Sequence, residues 1–130
     1  MKIIGLLLFT LFTTVAHAQV NWIELGYSGE SHVSFAFKET QDPRHIQIES
    51  KWQSMGSDSY TIQSYEVDCL NQASQLNKQQ RHSPTLTMTT THVGHMQMPK
   101  INTMHYMMNS AACLFARVQH EQQLILAKAE

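Results

Sequence analysis

The stretch Ser59-Tyr-Thr-Ile-Gln-Ser-Tyr-Glu-Val-Asp-Cys69 decides the fold. Its second half alternates: Tyr65, Val67 and Cys69 share one face, and Glu66 and Asp68 share the other. That period of two belongs to a half-buried strand with its apolar face on a core. Tyr60 and Ile62 fall in the opposite phase. Either a bulge near Gln63-Ser64 or a cover on both faces of the strand would reconcile them.

Outward from this strand the same period recurs. Val20 to Tyr27, which includes Trp22 and Ile23, reads as a first strand, ended by the turn signal Ser28-Gly29. Val33, Phe35 and Phe37 line one face of a second, with Ser34 and Ala36 behind them. Thr40-Gln41-Asp42-Pro43 is a turn, since Pro43 fixes φ and lacks a donor. Ile46, Ile48, Ser50 and Trp52 mark a third strand, closed by Met55-Gly56-Ser57-Asp58. Beyond Leu70 the signal fades into "NQASQLNKQQRHS", which reads as a weak hairpin or an edge strand. "TLTMTTTHV" after Pro84 is strand-like again, with Leu86 and Met88 on one face.

The tail changes period. With Asn102 as N-cap, Met104, Met108, Ala111, Phe115, Val118 and Ile125 follow helical spacing, and Met107 and Leu114 widen the stripe. Packing of this stripe on the chain's own sheet is the leading expectation, with a second copy as the alternative. Cys113 lies on the opposite side from the stripe. Either the helix breaks soon after it or two sides are covered. The expected fold is therefore α+β: an antiparallel β-sheet of about five or six strands, a C-terminal α-helix and one disulfide.

The first residues point to export. Met1-Lys2 is a short positive start, Ile3 to Val15 an apolar run, and Ala16-His17-Ala18 a signal-peptidase site. Residues 1–18 read as a signal peptide and 19–130 as a single domain with a helical tail. After cleavage 112 residues remain, with no further apolar run long enough to span a bilayer. Loss of Lys2 from the nine Lys+Arg leaves eight against ten Asp+Glu, a formal −2. No basic block is present, which argues against nucleic acid as a partner. Cys69 and Cys113, the two cysteines, form an even and unclustered pair. In an oxidising compartment they are expected to be joined.

Catalytic signals are missing. There is no G-x-S-x-G, no H-E-x-x-H and no glycine-rich phosphate loop, and Glu66 and Asp68 are expected to be solvated. The expectation is a chain that is not an enzyme and uses no cofactor. The one metal-like stretch is "HVGHMQMPKINTMHYMM", residues 92–108, with three histidines and five methionines. Continued alternation from Leu86 and Met88 would place His92, Met96 and Met98 on one face, a donor set suited to copper(I). The same alignment suits packing at the core, where methionine fills irregular gaps, and that reading is preferred.

The order of an opening Trp strand ("NWIELGYS"), the strands "HVSFAFKETQDPRHIQIESKW", the Val67-Asp68-Cys69 strand end and the closing "PKINTMHYMMNSAAC" resembles the surface-adhesin protein E family. These are small exported Gram-negative proteins, and the likeness runs from Asn21 to Cys113. It implies an antiparallel sheet with a disulfide-tethered C-terminal helix. It also implies a protein partner, namely host extracellular-matrix proteins such as vitronectin and laminin, and often a homodimer. The location would be the periplasm or the cell surface. Lys78, Arg81 and His82 are the nearest approach to a basic partner-binding patch. The exposed segment Gln75 to Ser83 and a free sheet edge are the expected contact surfaces. The competing function is a soluble periplasmic copper-binding or envelope-maintenance protein.

Overall fold

A computed structural model describes residues 21–38 and 42–129. The expected signal segment and half of the expected Thr40-Gln41-Asp42-Pro43 turn lie outside the described residues. Six strands form one sheet: β1 (Ile23–Ser28), β2 (Ser31–Phe37), β3 (His45–Ser54), β4 (Tyr60–Asp68), β5 (Ala73–His82) and β6 (Thr87–Thr91). Their order in space is their order in sequence, and every pair is antiparallel. The chain then closes with a helix, α1 (Met104–Lys128). The α+β fold and the single disulfide are as expected from the sequence.

Turn chemistry sets the register. Ser28 pairs with Ser31, leaving Gly29-Glu30 as a two-residue loop, and Gly29 takes the positive φ of 59° that such a loop favours. At the other end of β4, Asp68 holds the turn into β5. Its carboxylate accepts from the Leu70 and Asn71 amides and, at 2.7 Å, from Asn71 Nδ2. These bonds hold its pKa below the usual carboxylate range. The acid of the Val-Asp-Cys strand end is thus a turn-former.

The conflict of phase in β4 resolves without a bulge in that strand. Its register with β3 is unbroken from His45–Asp68 to Gln53–Tyr60. The extra residue sits in β5, where Ser64 faces Lys78 and Tyr65 faces Leu76, so Asn77 is skipped. Tyr60 and Ile62 consequently lie on the face of the sheet away from the helix, and both are half-buried there.

The helix face carries the core. Phe35, Ile46, Ile48, Tyr65 and Val67 pack against Met108, Ala112 and Ala116 of α1, with Ile23, Leu25, Phe37 and Leu76 around them. Small residues at positions 112 and 116 let the helix approach closely. The first turn is capped by Thr103, one residue after the expected Asn102. Thr103 Oγ1 accepts from the Tyr106 amide at 3.2 Å, while Asn102 takes φ 69° just before it.

The rotation of the helix is the largest departure from the sequence reading. Its buried positions are Met108, Asn109, Ala112 and Ala116. At ~100° per residue, the face they define is turned by more than a quarter turn from the stripe of bulky apolar residues. Met107, Leu114, Val118 and Ile125 are therefore exposed, at 51, 51, 41 and 66 %. Of the stripe, Met108 stays in the core, and Phe115 reaches back, edge-on to Phe35 and Phe37 at 6.3 and 6.4 Å. The cause is covalent: Cys113 has to meet Cys69 at the end of β4, and the bond is made with a Cα–Cα distance of 5.7 Å. The helix neither breaks after Cys113 nor docks its tail on the sheet. From Arg117 on, every described residue but His120 is exposed.

A single helix ~10 Å wide cannot cover six strands spaced ~4.8 Å apart. β6 is accordingly exposed at every position, and Leu86 and Met88 stand 58 and 57 % exposed. Those two residues were expected on a core face, and they are not. The segment "NQASQLNKQQRHS" is also corrected: most of it is β5, paired along its length by β4 and, over residues 78–82, by β6 on the other side, so that this half is interior to the sheet. Cross-strand pairing here needs main-chain groups and not an apolar face, which is why a polar sequence fits.

Candidate functional site

Where the N-terminal turn of α1 meets the sheet, a chain of directed hydrogen bonds crosses the interface. Tyr65 donates its hydroxyl proton to Gln63 Oε1. Its oxygen is then left to accept, so His105 Nε2, at 2.9 Å, is the donor. That direction of the Tyr65 bond assigns the imidazole the Nε2–H tautomer. Gln63 Nε2 passes the chain to Gln79 Oε1 at 3.1 Å. Trp52 flanks His105 with ring centroids 5.5 Å apart, and its own Nε1–H donates to Ser50 Oγ at 2.9 Å. Burial lowers the His105 pKa and raises that of Tyr65. The bonds join the first turn of α1 to β4, so the arrangement is a latch between helix and sheet.

On the opposite face Lys51 lies over two rings, 4.7 Å from the centroid of Tyr60 and 5.8 Å from that of Trp22. His82 stacks on the other partner strand's Tyr60 at 4.5 Å. This explains why Tyr60 is out of phase with Tyr65: it serves the outer face.

The basic residues singled out in the sequence do not form one patch. The register places Lys78 and His82 on the outer face, opposite Ser64 and Tyr60, and Arg81 on the helix face opposite Thr61. Arg81 and His82 do share the rim of a small groove at the β5–β6 turn with Tyr60, Leu86 and Met88. Lys78 is not part of it.

The methionine-histidine set fares similarly. β6 ends at Thr91, so the alternation that would align His92, Met96 and Met98 stops before it reaches them. His92 is half-buried, its amide bonded to Asn77 O at 2.8 Å, while Met96 and Met98 are 37 and 73 % exposed. The preferred expectation of core packing is therefore corrected for both methionines. Gln97, between them, bridges to Ser74 through two 2.9 Å main-chain bonds and keeps this segment on the surface. Among the described residues no group of three or more His, Cys, Asp or Glu side chains is placed to hold a metal ion.

The disulfide Cys69–Cys113 does more than staple. It lies in the wall of a groove of about 430 Å³ between α1, the turn from β4 to β5, Pro99 and the segment before β3. Sequence reasoning missed this groove, because its walls come from four separated segments. Asn109 borders it and is only 4 % exposed; its Nδ2 donates to Ser74 Oγ at 3.1 Å, and its Oδ1 has no partner. A buried acceptor left unmatched costs about 1–3 kcal/mol.

No family model, no curated protein and no solved structure matches this chain. No helix among the described residues is long and apolar enough to cross a membrane.

Proposed function

We propose that this is an exported binding module that recognises another protein and performs no chemistry of its own. One observation carries the reading: the bulky apolar side chains of α1 face solvent. Met107, Leu114, Val118 and Ile125 form a stripe at helical spacing along a helix whose other face already serves the core. Stripes of this kind are costly to leave in water and are the usual anchors of helix-in-groove or helix-on-surface recognition. The resemblance to the surface-adhesin protein E family supports host matrix proteins as the partner class, and the apparent signal segment supports an extracytoplasmic location.

Binding of the oxidised mature chain to immobilised vitronectin and laminin, paired with protease shaving of intact cells, tests both halves. Saturable binding that Val118→Glu and Ile125→Glu abolish, with cleavage on intact cells, is the expected result. Both variants keep the fold, because neither residue contributes to the core. Binding that is indifferent to these charges would refute the helix as the contact. Survival of the protein through shaving, with release only from the periplasm, would refute the matrix partner.

A further inference from the structure

We infer that the groove beside the disulfide is a binding site for a small amphipathic carboxylate, an aliphatic chain with one anionic head. The inference rests on different observations from the protein-binding role of the helix stripe, with Leu114 common to both surfaces.

Two features point the same way. The walls are largely apolar, with Leu70, Leu114 and Tyr106 facing the space together with the disulfide, and the volume of about 430 Å³ suits a small molecule. Leu70 is 71 % exposed and Leu114 51 %, so two large aliphatic side chains wait there without cover. The charge at the rim is of one sign. Arg117 from the helix and Arg44 from the start of β3 both line the groove, and no carboxylate does.

The two arginines differ. Arg44 gives Nε and Nη2 to Asp42, at 3.1 and 3.3 Å, so its charge is largely answered. Arg117 has no hydrogen bond or ion pair among the described residues and is the free cation. A guanidinium with open donors beside an aliphatic surface matches a carboxylate head followed by an alkyl chain. A neutral or cationic amphiphile would fill the same walls without meeting the charge.

Asn109 adds a polar group to the wall. Its carboxamide borders the groove and is nearly fully buried with one atom unmatched. Reversing the amide does not cure this. The Ser74 hydroxyl would then donate to Oδ1, and Nδ2 would become the unmatched group, now a donor. As placed, Oδ1 is an acceptor that a carboxylate cannot satisfy, and only the reversed amide, with Nδ2 free, would donate to one, so Asn109 does not decide the charge of the ligand.

The test is a calorimetric and two-dimensional NMR titration of the oxidised mature chain with decanoate, below its micellar range. Decanol, decyltrimethylammonium and phosphatidylglycerol vesicles form the other arms. The expected result is saturable binding of decanoate at one site per chain, with methyl shifts confined to Leu70 and Leu114. Decanol and the cation should bind roughly ten-fold more weakly or worse, the loss of one charge-assisted hydrogen bond. Arg117→Gln should weaken decanoate by the same factor and leave decanol unchanged, with an unaltered near-UV dichroism spectrum as the control for folding. Leu70→Asp should abolish binding of decanoate. Equal affinity for all three amphiphiles, indifference to Arg117→Gln, or binding to vesicles without binding of free decanoate would each overturn the assignment.

Discussion

Removing the disulfide by the paired substitution Cys69→Ser and Cys113→Ser should cost the domain about 4 kcal/mol. The two cysteines are 44 residues apart. Loop closure over that length restricts the unfolded chain by about 4 kcal/mol at 25 °C in the chain-entropy model. Both cysteines are only half-buried at the groove wall, so Ser in their place adds little cavity cost. For a domain with a net stability of ~5–15 kcal/mol this is about a quarter or more of the total. Urea denaturation monitored by tryptophan fluorescence reads it directly. With a slope of about 1–3 kcal/mol/M, the midpoint should fall by roughly 1.5–4 M while the slope changes little. Dithiothreitol should reproduce the shift in the unmutated chain and do nothing further to the double variant. A midpoint within ~0.3 M of the parent, with or without reductant, would refute the idea that the bond holds the helix in place.

Three other outcomes follow from the interface latch and the surface. His105 is held below its ordinary pKa by burial, so the unfolded state binds more protons as the pH falls through 6.5. Stability should be full above that pH and decline as the pH drops towards the folded-state value. His105→Gln should flatten this dependence in urea melts at pH 7.5 and 5.5. Tyr65→Phe removes one hydroxyl but strands both His105 Nε2–H and Gln63 Oε1, and should destabilise by about 1–3 kcal/mol in the same melts. Met98→Ser, at a side chain 73 % exposed, should move the midpoint by less than the equivalent of about 0.5 kcal/mol; a larger loss would return Met98 to the core.

The strands were legible in the sequence where one face is buried. Phe35 and Phe37, Ile46 and Ile48, and Tyr65 and Val67 announce themselves by alternation because the helix covers them. β5 was not legible as an interior strand, since its neighbours pair with it through main-chain groups while its faces stay largely polar. The skipped Asn77 shifted the phase in a strand where no one would look for it from β4 alone. Helix formation was readable from periodicity, but the rotation was not. Periodicity assumes that the most apolar face is the buried one, and here the bond to Cys69 selects the face with alanines. The latch at Tyr65 and His105 links residues 40 apart and leaves no local mark in the sequence. The groove beside the disulfide is likewise a product of tertiary contact, assembled from Pro43, Leu70, Pro99 and the helix.

The placement of the disulfide makes a closed covalent ring of everything between Cys69 and Cys113. That ring contains β5, β6 and the surface segment that carries Met96 and Met98, the part of the chain least shielded by the helix. A protease that cuts there opens the ring without dividing the molecule. The nicked protein stays one covalent species, with both halves still pinned to the core through β4 and α1. On a non-reducing gel it migrates as a single band, and reduction then releases two fragments. Exposure on the uncovered leaf of the sheet is thus made tolerable by a bond located elsewhere.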